Sequence, residues 1–148
     1  NAYVDNMQRL LRKFETAKTL VPAPVIRRAA QPARAGAIWF GSTGAAMAES
    51  LAELAKEGIH LDQMRIRAFP FADAVAEFIA EHEHVFVVEQ NRDAQLKMML
   101  VNECGIDPQK LISILHYDGN PLTERFVTRE IAEKARLFNV TPLRKVAR

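Results

Sequence analysis

A few places in this 148-residue chain hold residue types that could act as nucleophiles, acid–base pairs, metal ligands or anion cradles. Gly41-Ser42-Thr43-Gly44 opens a helical stretch, where spare backbone N–H groups suit a phosphate or carboxylate. It is neither the dinucleotide G-x-G-x-x-G nor the phosphate loop ending in Gly-Lys-Ser/Thr, because it has no lysine. Its plainer reading is that Ser42 or Thr43 caps the helix. Glu89-Gln90-Asn91-Arg92-Asp93-Ala94-Gln95 places six polar residues among seven directly after an apolar run. One Asn or Asp suffices for a cap, so this run reads as a site or an interface, with capping and surface solvation as the alternative.

Three other constellations are weaker. Ser42 with His116 and Asp118 invites a hydrolase reading, but Gly-Ser-Thr-Gly is not the G-x-S-x-G elbow and the histidine precedes the aspartate. Glu81-His82-Glu83-His84 resembles a metal site, yet on a continuing helix the two imidazoles point about 200° apart. A solvated helix end suits this run better, since histidine is favoured there. Cys104 closes a helix with no cationic cluster beside it in sequence, so it reads as a structural thiol. No catalytic or metal-ligating residue is assigned.

These residues lie on elements that periodicity makes legible. Val4, Met7, Leu11 and Phe14 form the stripe of an amphipathic helix over 3–18, with nothing beside it in sequence to cover it; we expect it to pack on the domain or on a second copy. Val21-Pro22-Ala23-Pro24 and Gln31-Pro32 make 19–35 a linker, in which Val25-Ile26 can pair as an edge strand. From residue 36, strands and helices alternate. Strands at 37–40, 59–68, 85–88 and 111–115 are separated by helices bearing Met47, Leu51 and Leu54; Val75, Phe78 and Ile79; and Leu96, Met99 and Leu100, the last of these running from Asn91 to Cys104. Thr128 is the expected cap of a final helix through Ile131, Ala132 and Ala135. Val85-Phe86-Val87-Val88 is apolar on both faces and therefore interior. Such alternation implies an α/β fold with a mainly parallel sheet between helices, whose contacts gather beyond the carboxyl ends of the strands.

Composition excludes several classes. Apolar residues make up 49% of the chain and the net charge is only +2, which rules out disorder. No apolar run approaches the roughly 18 residues of a membrane span, and no secretory signal is evident, so no membrane partner is expected. One cysteine excludes an internal disulfide or a multi-cysteine cluster, and the expected location is cytoplasmic. Charge is uneven: residues 1–35 carry net +5, the last five residues +3, and residues 36–143 about −6. The basic excess lies outside the expected globular part, so nucleic acid is not expected either. The chain begins at Asn1, which we read as the mark of processing or cutting, with Asn1-Ala2 a candidate cloning remnant.

Four motifs occur in order: Ile38-Trp39-Phe40-Gly41-Ser42-Thr43, Arg65-Ile66-Arg67-Ala68-Phe69-Pro70-Phe71, Val87-Val88-Glu89-Gln90-Asn91-Arg92-Asp93-Ala94-Gln95, and Tyr117-Asp118-Gly119-Asn120-Pro121-Leu122-Thr123. Together they closely resemble the C-terminal domain of the alpha subunit of 2-oxoacid:ferredoxin oxidoreductases, the 2-oxoglutarate type in particular. Lys13-Phe14-Glu15-Thr16-Ala17 and Val21-Pro22-Ala23-Pro24 resemble the same family's lead-in, so the likeness runs from about residue 3 to 131. Gly44-Ala45 departs from it, where bulkier or acidic-proline sequences are expected.

The resemblance implies a transketolase C-terminal-like domain: a three-layer α/β/α sandwich on a mainly parallel five-stranded sheet with one antiparallel strand, for which Val25-Ile26 is the candidate. Its expected parts are a lead-in helix at 1–18, a Pro-rich linker at 19–35, the α/β domain at 36–143 and a basic tail at 144–148. The parent enzyme oxidatively decarboxylates a 2-oxoacid on thiamine diphosphate with magnesium, passes electrons through an iron–sulfur cluster to ferredoxin, and forms an acyl-CoA. The diphosphate binds between other parts of the assembly, so this domain is expected to hold no cofactor and to be inactive alone. Its partners would be the other alpha-subunit domains and the beta subunit, with ferredoxin and CoA engaged at the level of the complex. Glu89, Gln90, Arg92, Ser42, Thr43 and Arg67 are the expected binding or interface residues. A free-standing small α/β ligand-binding or adaptor module is the alternative; a reading frame extending several hundred residues upstream would favour the subunit.

Overall fold

Short apolar runs alternating with amphipathic stretches can bury both kinds of surface only by sandwiching strands between helices. A computed structural model, describing residues 1–140, has this arrangement. After helix α1 (Ala2–Leu20) come β1 (Val25–Arg27), β2 (Ala35–Phe40), α2 (Gly44–Lys56), β3 (Leu61–Ile66), α3 (Asp73–Glu81), β4 (His84–Glu89), α4 (Gln95–Cys104), β5 (Leu111–Leu115) and α5 (Glu124–Leu137). The sheet has five strands in the order β1-β3-β2-β4-β5. β3, β2, β4 and β5 are parallel, while β1 pairs antiparallel with β3 in the register Val25↔Arg65. Val25-Ile26 is thus the antiparallel edge strand, where neighbouring prolines cost least. The expected tail at 144–148 lies outside the described residues.

Alternation along the strands divides the core in two. Ala37, Trp39, Phe86, Val88, Ile112 and Ile114 pack under α2 and α5, against Met47, Leu51, Leu54 and Ile131. Ile38, Met64, Ile66, Val85 and Val87 pack under α3 and α4, against Val75, Phe78, Ile79, Leu96 and Leu100. Glycines end two of these helices. Gly58 and Gly105, at φ +80° and +63°, supply the left-handed residue that reverses the chain after α2 and α4.

Three expectations about helices are corrected. α4 begins at Gln95 rather than Asn91, because Asn91–Ala94 forms a capping turn, and Met99 on it is exposed while Leu96 and Leu100 are buried. α5 begins at Glu124, capped by Thr123, whose Oγ1 accepts from the Phe126 N–H; Thr128 instead donates to Glu124 Oε1 within the helix. α1 extends to Leu20, but none of its residues is buried, and Tyr3, Val4, Leu11 and Phe14 are all more than half exposed. Its stripe is largely left uncovered by the domain, with only Met7 half-buried.

Charge segregation resolves within the fold. Arg28, just beyond β1, donates to Asp62 on β3 at 2.7 Å and pairs with Glu81 on α3 at 2.6 Å. Arg34 pairs with Glu83 across the amino ends of β2 and β4. Two of the basic residues before residue 36 therefore staple the linker to the acidic body.

Candidate functional site

Parallel strands direct their chain reversals to one sheet edge, so the loops after β2, β3 and β4 meet there. The loop after β2, Gly41–Thr43, is a single 3₁₀ turn running into α2. Neither Thr43 nor Phe40 caps through its side chain, and Ser42 does not either, which corrects the capping expectation. The hydroxyls are engaged across the edge instead: Gln90 Nε2 donates to Ser42 Oγ at 3.4 Å and to Thr43 Oγ1 at 3.3 Å. Arg65 Nη2 donates to the Gly41 carbonyl at 3.3 Å, tying the same loop to β3.

Glu89 has a different task from the one expected of it. Its side chain is fully buried at the end of β4 and accepts from the Leu96 N–H at 2.8 Å, the Lys97 N–H at 3.3 Å and Asn91 Nδ2 at 2.7 Å. It caps α4 from below and compensates the positive helix end, so its carboxylate is committed to the fold. Asn91 completes the turn by accepting from the N–H groups of Asp93 and Gln95. Ala94 takes a left-handed conformation, φ +53°, to make the turn fit.

Arg92 projects from this turn, mostly exposed, and pairs with its neighbour Asp93 through Nε–Oδ1 at 2.7 Å. Arg67 is exposed one residue beyond β3. It borders a groove of about 460 Å³ with Phe40, Phe69, Phe71, Leu96 and Met99, between the β3–α3 turn and α4. Phe40, Phe69 and Met99 are each about 40% exposed there, so the carboxyl edge carries an apolar hollow bordered by the cationic side chain of Arg67. The edge thus gathers Ser42, Thr43, Gln90, Arg92 and Arg67, and uses Glu89 to hold the turn beneath them.

The remaining candidates do not assemble into a catalyst. Ser42 meets Gln90, while His116 Nε2 lies 3.3 Å from Asp118 Oδ1. The Asp118 carboxyl is held below the usual range chiefly by the Asn120 N–H. His82 is not at a solvated helix end: it is buried, with Nδ1 2.6 Å from the Phe78 carbonyl and Nε2 3.2 Å from Asp62. No group of three or more His, Cys, Asp or Glu side chains among the described residues is placed to hold a metal ion. Burial pushes the Cys104 thiol up, with Glu103 adding to the effect, so it is a poor nucleophile as well as the chain's single cysteine. An iron–sulfur cluster needs several thiolates, and this chain does not fit one.

This sheet order, with helices on both faces and one antiparallel edge strand, is the transketolase C-terminal-like fold. Within it the chain is similar to 2-oxoglutarate:ferredoxin oxidoreductase from Magnetococcus marinus, solved with 2-oxoglutarate, coenzyme A and succinyl-CoA bound. The TM-score is 0.76 and the identity 24%, over 90% of this chain and 23% of that one. It is similar also to the alpha chain of a probable 2-oxoacid ferredoxin oxidoreductase from Thermoplasma acidophilum, with TM-score 0.52 and 25% identity over 77% of this chain and 97% of that one. The chain therefore spans under a quarter of the length of the first of these proteins. No protein-family model and no curated protein matches it. No helix among the described residues is long and apolar enough to cross a membrane.

Proposed function

We propose that this chain is a non-catalytic domain of a 2-oxoacid:ferredoxin oxidoreductase of the 2-oxoglutarate type, the C-terminal domain of its alpha subunit, and that its work is assembly. The observation that carries this reading is the structural likeness over 90% of this chain to 23% of a 2-oxoglutarate:ferredoxin oxidoreductase chain. The order of the four sequence motifs supports it independently. On this reading thiamine diphosphate, magnesium and the iron–sulfur cluster belong elsewhere in the assembly, and the single cysteine here is in keeping with that for the cluster. Ferredoxin and CoA act at the level of the complex, in a cytoplasmic setting.

Two surfaces suit the remaining alpha-subunit domains and the beta subunit. One is the carboxyl edge, where Arg67 borders the hollow formed by Phe40, Phe69 and Met99, and Gln90 and Arg92 lie on the β4–α4 turn. The other is the exposed stripe of α1, with Val4, Leu11 and Phe14. Burying side chains of this size stabilises a contact by about 1.5–3 kcal/mol each. The test is activity with and without the rest of the enzyme. The isolated chain, given 2-oxoglutarate, thiamine diphosphate, magnesium, CoA and a dye acceptor, is expected to give no reduction above a buffer blank. The assembled enzyme carrying Phe69→Asp is expected to lose subunit association on sedimentation. Turnover by the isolated chain, or an assembly indifferent to Phe69→Asp, overturns the reading.

A further inference from the structure

Of the two partners that the periodicity of α1 allows, the domain leaves the stripe open. Val4, Met7, Leu11 and Phe14 recur at intervals of three and four, and Lys18 is next in the same row. At 100° per residue these five lie within about 40° of one line along the helix. Val4, Leu11 and Phe14 are each more than half exposed, and no residue of the helix is buried. Arg9 falls directly opposite the row, and Arg12 and Lys13 more than about 100° from it, so these cations face away. We propose that α1 pairs antiparallel with α1 of a second copy, making this chain a homodimer through its lead-in helix. The proposal concerns the chain by itself and does not depend on the assembly above, where the same stripe is given to other subunits.

The row is complementary to itself in this orientation. A two-fold axis at residue 9 sets Val4 against Phe14 of the other copy and Met7 against Leu11, then repeats both contacts in reverse. Every layer then combines side chains of different shape, the alternation that lets knobs fill holes. Leu10 of each copy flanks the axis and widens the apolar seam. In a parallel pair each residue would meet its own kind. Phe14 would crowd Phe14, Val4 would leave a gap at Val4, and Lys18 would be brought against Lys18. The antiparallel pair leaves Lys18 beyond the last layer, free to keep its ion pair with Glu15 at 3.1 Å. No charge then lies within the seam. A single pair of 19-residue helices sits at the small end of stable interfaces, under about 1,200 Å² in total, so the dimer is expected to dissociate on dilution.

Substitutions on α1 test pairing without disturbing the core, because none of its residues is buried. On sedimentation of the full chain from micromolar to millimolar concentration, the mass is expected to rise from that of one copy toward that of two. Leu11→Asp should hold it at one copy throughout, with the denaturation midpoint of the diluted chain unchanged. Orientation is read with cysteines in a Cys104→Ser background. An equimolar mixture of Val4→Cys and Phe14→Cys chains should give the mixed disulfide on oxidation. Neither variant alone should link to itself, since ten residues along an antiparallel seam separate the two copies of each position by about 15 Å. A chain that stays monomeric at millimolar concentration, or a Leu11→Asp chain that dimerises like the parent, overturns the proposal. Self-linking of Val4→Cys in place of the mixed product overturns the antiparallel arrangement.

Discussion

The two ends of the sheet are built on opposite rules. At the amino end charges are matched. Asp62 accepts from the Ala29 N–H at 2.8 Å, from Arg28 at 2.7 Å and faces His82 at 3.2 Å, while Lys110 Nζ donates to the Ile79 and Ala80 carbonyls. At the carboxyl end Arg67 has no ion pair among the described residues, Arg92 pairs only with its neighbour, and Phe40 and Phe69 are each about 40% exposed. A buried charge must be satisfied within the chain, whereas an exposed one can be kept for a partner. The amino end therefore serves stability, and the carboxyl end holds the side chains that the proposed function assigns to contact. Substitutions at the two ends should differ in kind as well as in size.

The largest effect is expected at Asp62. Asp62→Ala leaves His82 and the Ala29 N–H without their acceptor and should destabilise the chain by about 3 kcal/mol, the low end for a broken buried pair because Arg28 is half exposed. Denaturant unfolding measures this directly. Acid sharpens the point. Burial pushes the Asp62 carboxyl up, but the Ala29 N–H, Arg28 and His82 outweigh it and hold it below its ordinary value. A group depressed in the folded state contributes stability above its unfolded pKa, about 3.9, and loses it as pH falls through the folded value. The stability gap between the parent and Asp62→Asn should therefore be full at pH 7 and narrow steadily below about pH 4. A gap independent of pH would mean that the carboxylate charge contributes nothing.

Glu89 comes next, and it tests where the boundary between the two ends lies. Although it sits at the carboxyl edge, it follows the amino-end rule: it is fully buried and accepts three hydrogen bonds. Glu89→Ala should destabilise the isolated chain by about 2 kcal/mol, combining a lost cap with an unsatisfied helix start. Hydrogen exchange at the Leu96 and Lys97 amides should quicken more than at amides of α2.

The ladder of strands and the faces of α2 and α3 are legible in sequence because each rests on local periodicity, as with Met47, Leu51 and Leu54. The antiparallel β1 is legible as well, since prolines on both sides of Val25-Ile26 confine it to an edge. Helix starts are less so. Thr123 and Thr128 are equally good caps as residue types, and only the bond from Thr128 to Glu124 shows which lies inside the helix. The polar run after β4 reads as a single unit, yet three-dimensional contact splits it, sending Glu89 into the core and Arg92 outward. Arg28 and Asp62 stand 34 positions apart, so no sequence window joins them.

A smaller effect of opposite sign is expected at Ala94. A left-handed conformation costs a residue with a Cβ about 1 kcal/mol, and glycine escapes that cost. Ala94→Gly should therefore raise stability by somewhat under 1 kcal/mol, partly offset by the greater freedom of glycine in the unfolded chain. A drop in melting temperature would show that the methyl group packs usefully.

The smallest effect on the isolated chain, and the most telling for function, is expected at Arg92. Its side chain is 73% exposed and that of its partner Asp93 53%, so the pair is solvated on both sides and contributes little. The turn does not depend on it, since Asn91 and Glu89 make the capping bonds. Arg92→Ala should therefore leave the melting of the isolated chain within about 0.5 kcal/mol of the parent. On the function proposed above, the same substitution in the assembled enzyme should weaken subunit association or turnover, because a guanidinium at this edge is shaped to meet a carboxylate across a contact. Arg92→Lys keeps the charge but not the fork, and partial rescue by it would separate a simple charge requirement from bidentate recognition. If Arg92→Ala instead unfolds the isolated chain while Glu89→Ala does not, the assignment of those two residues to contact and to fold must be exchanged.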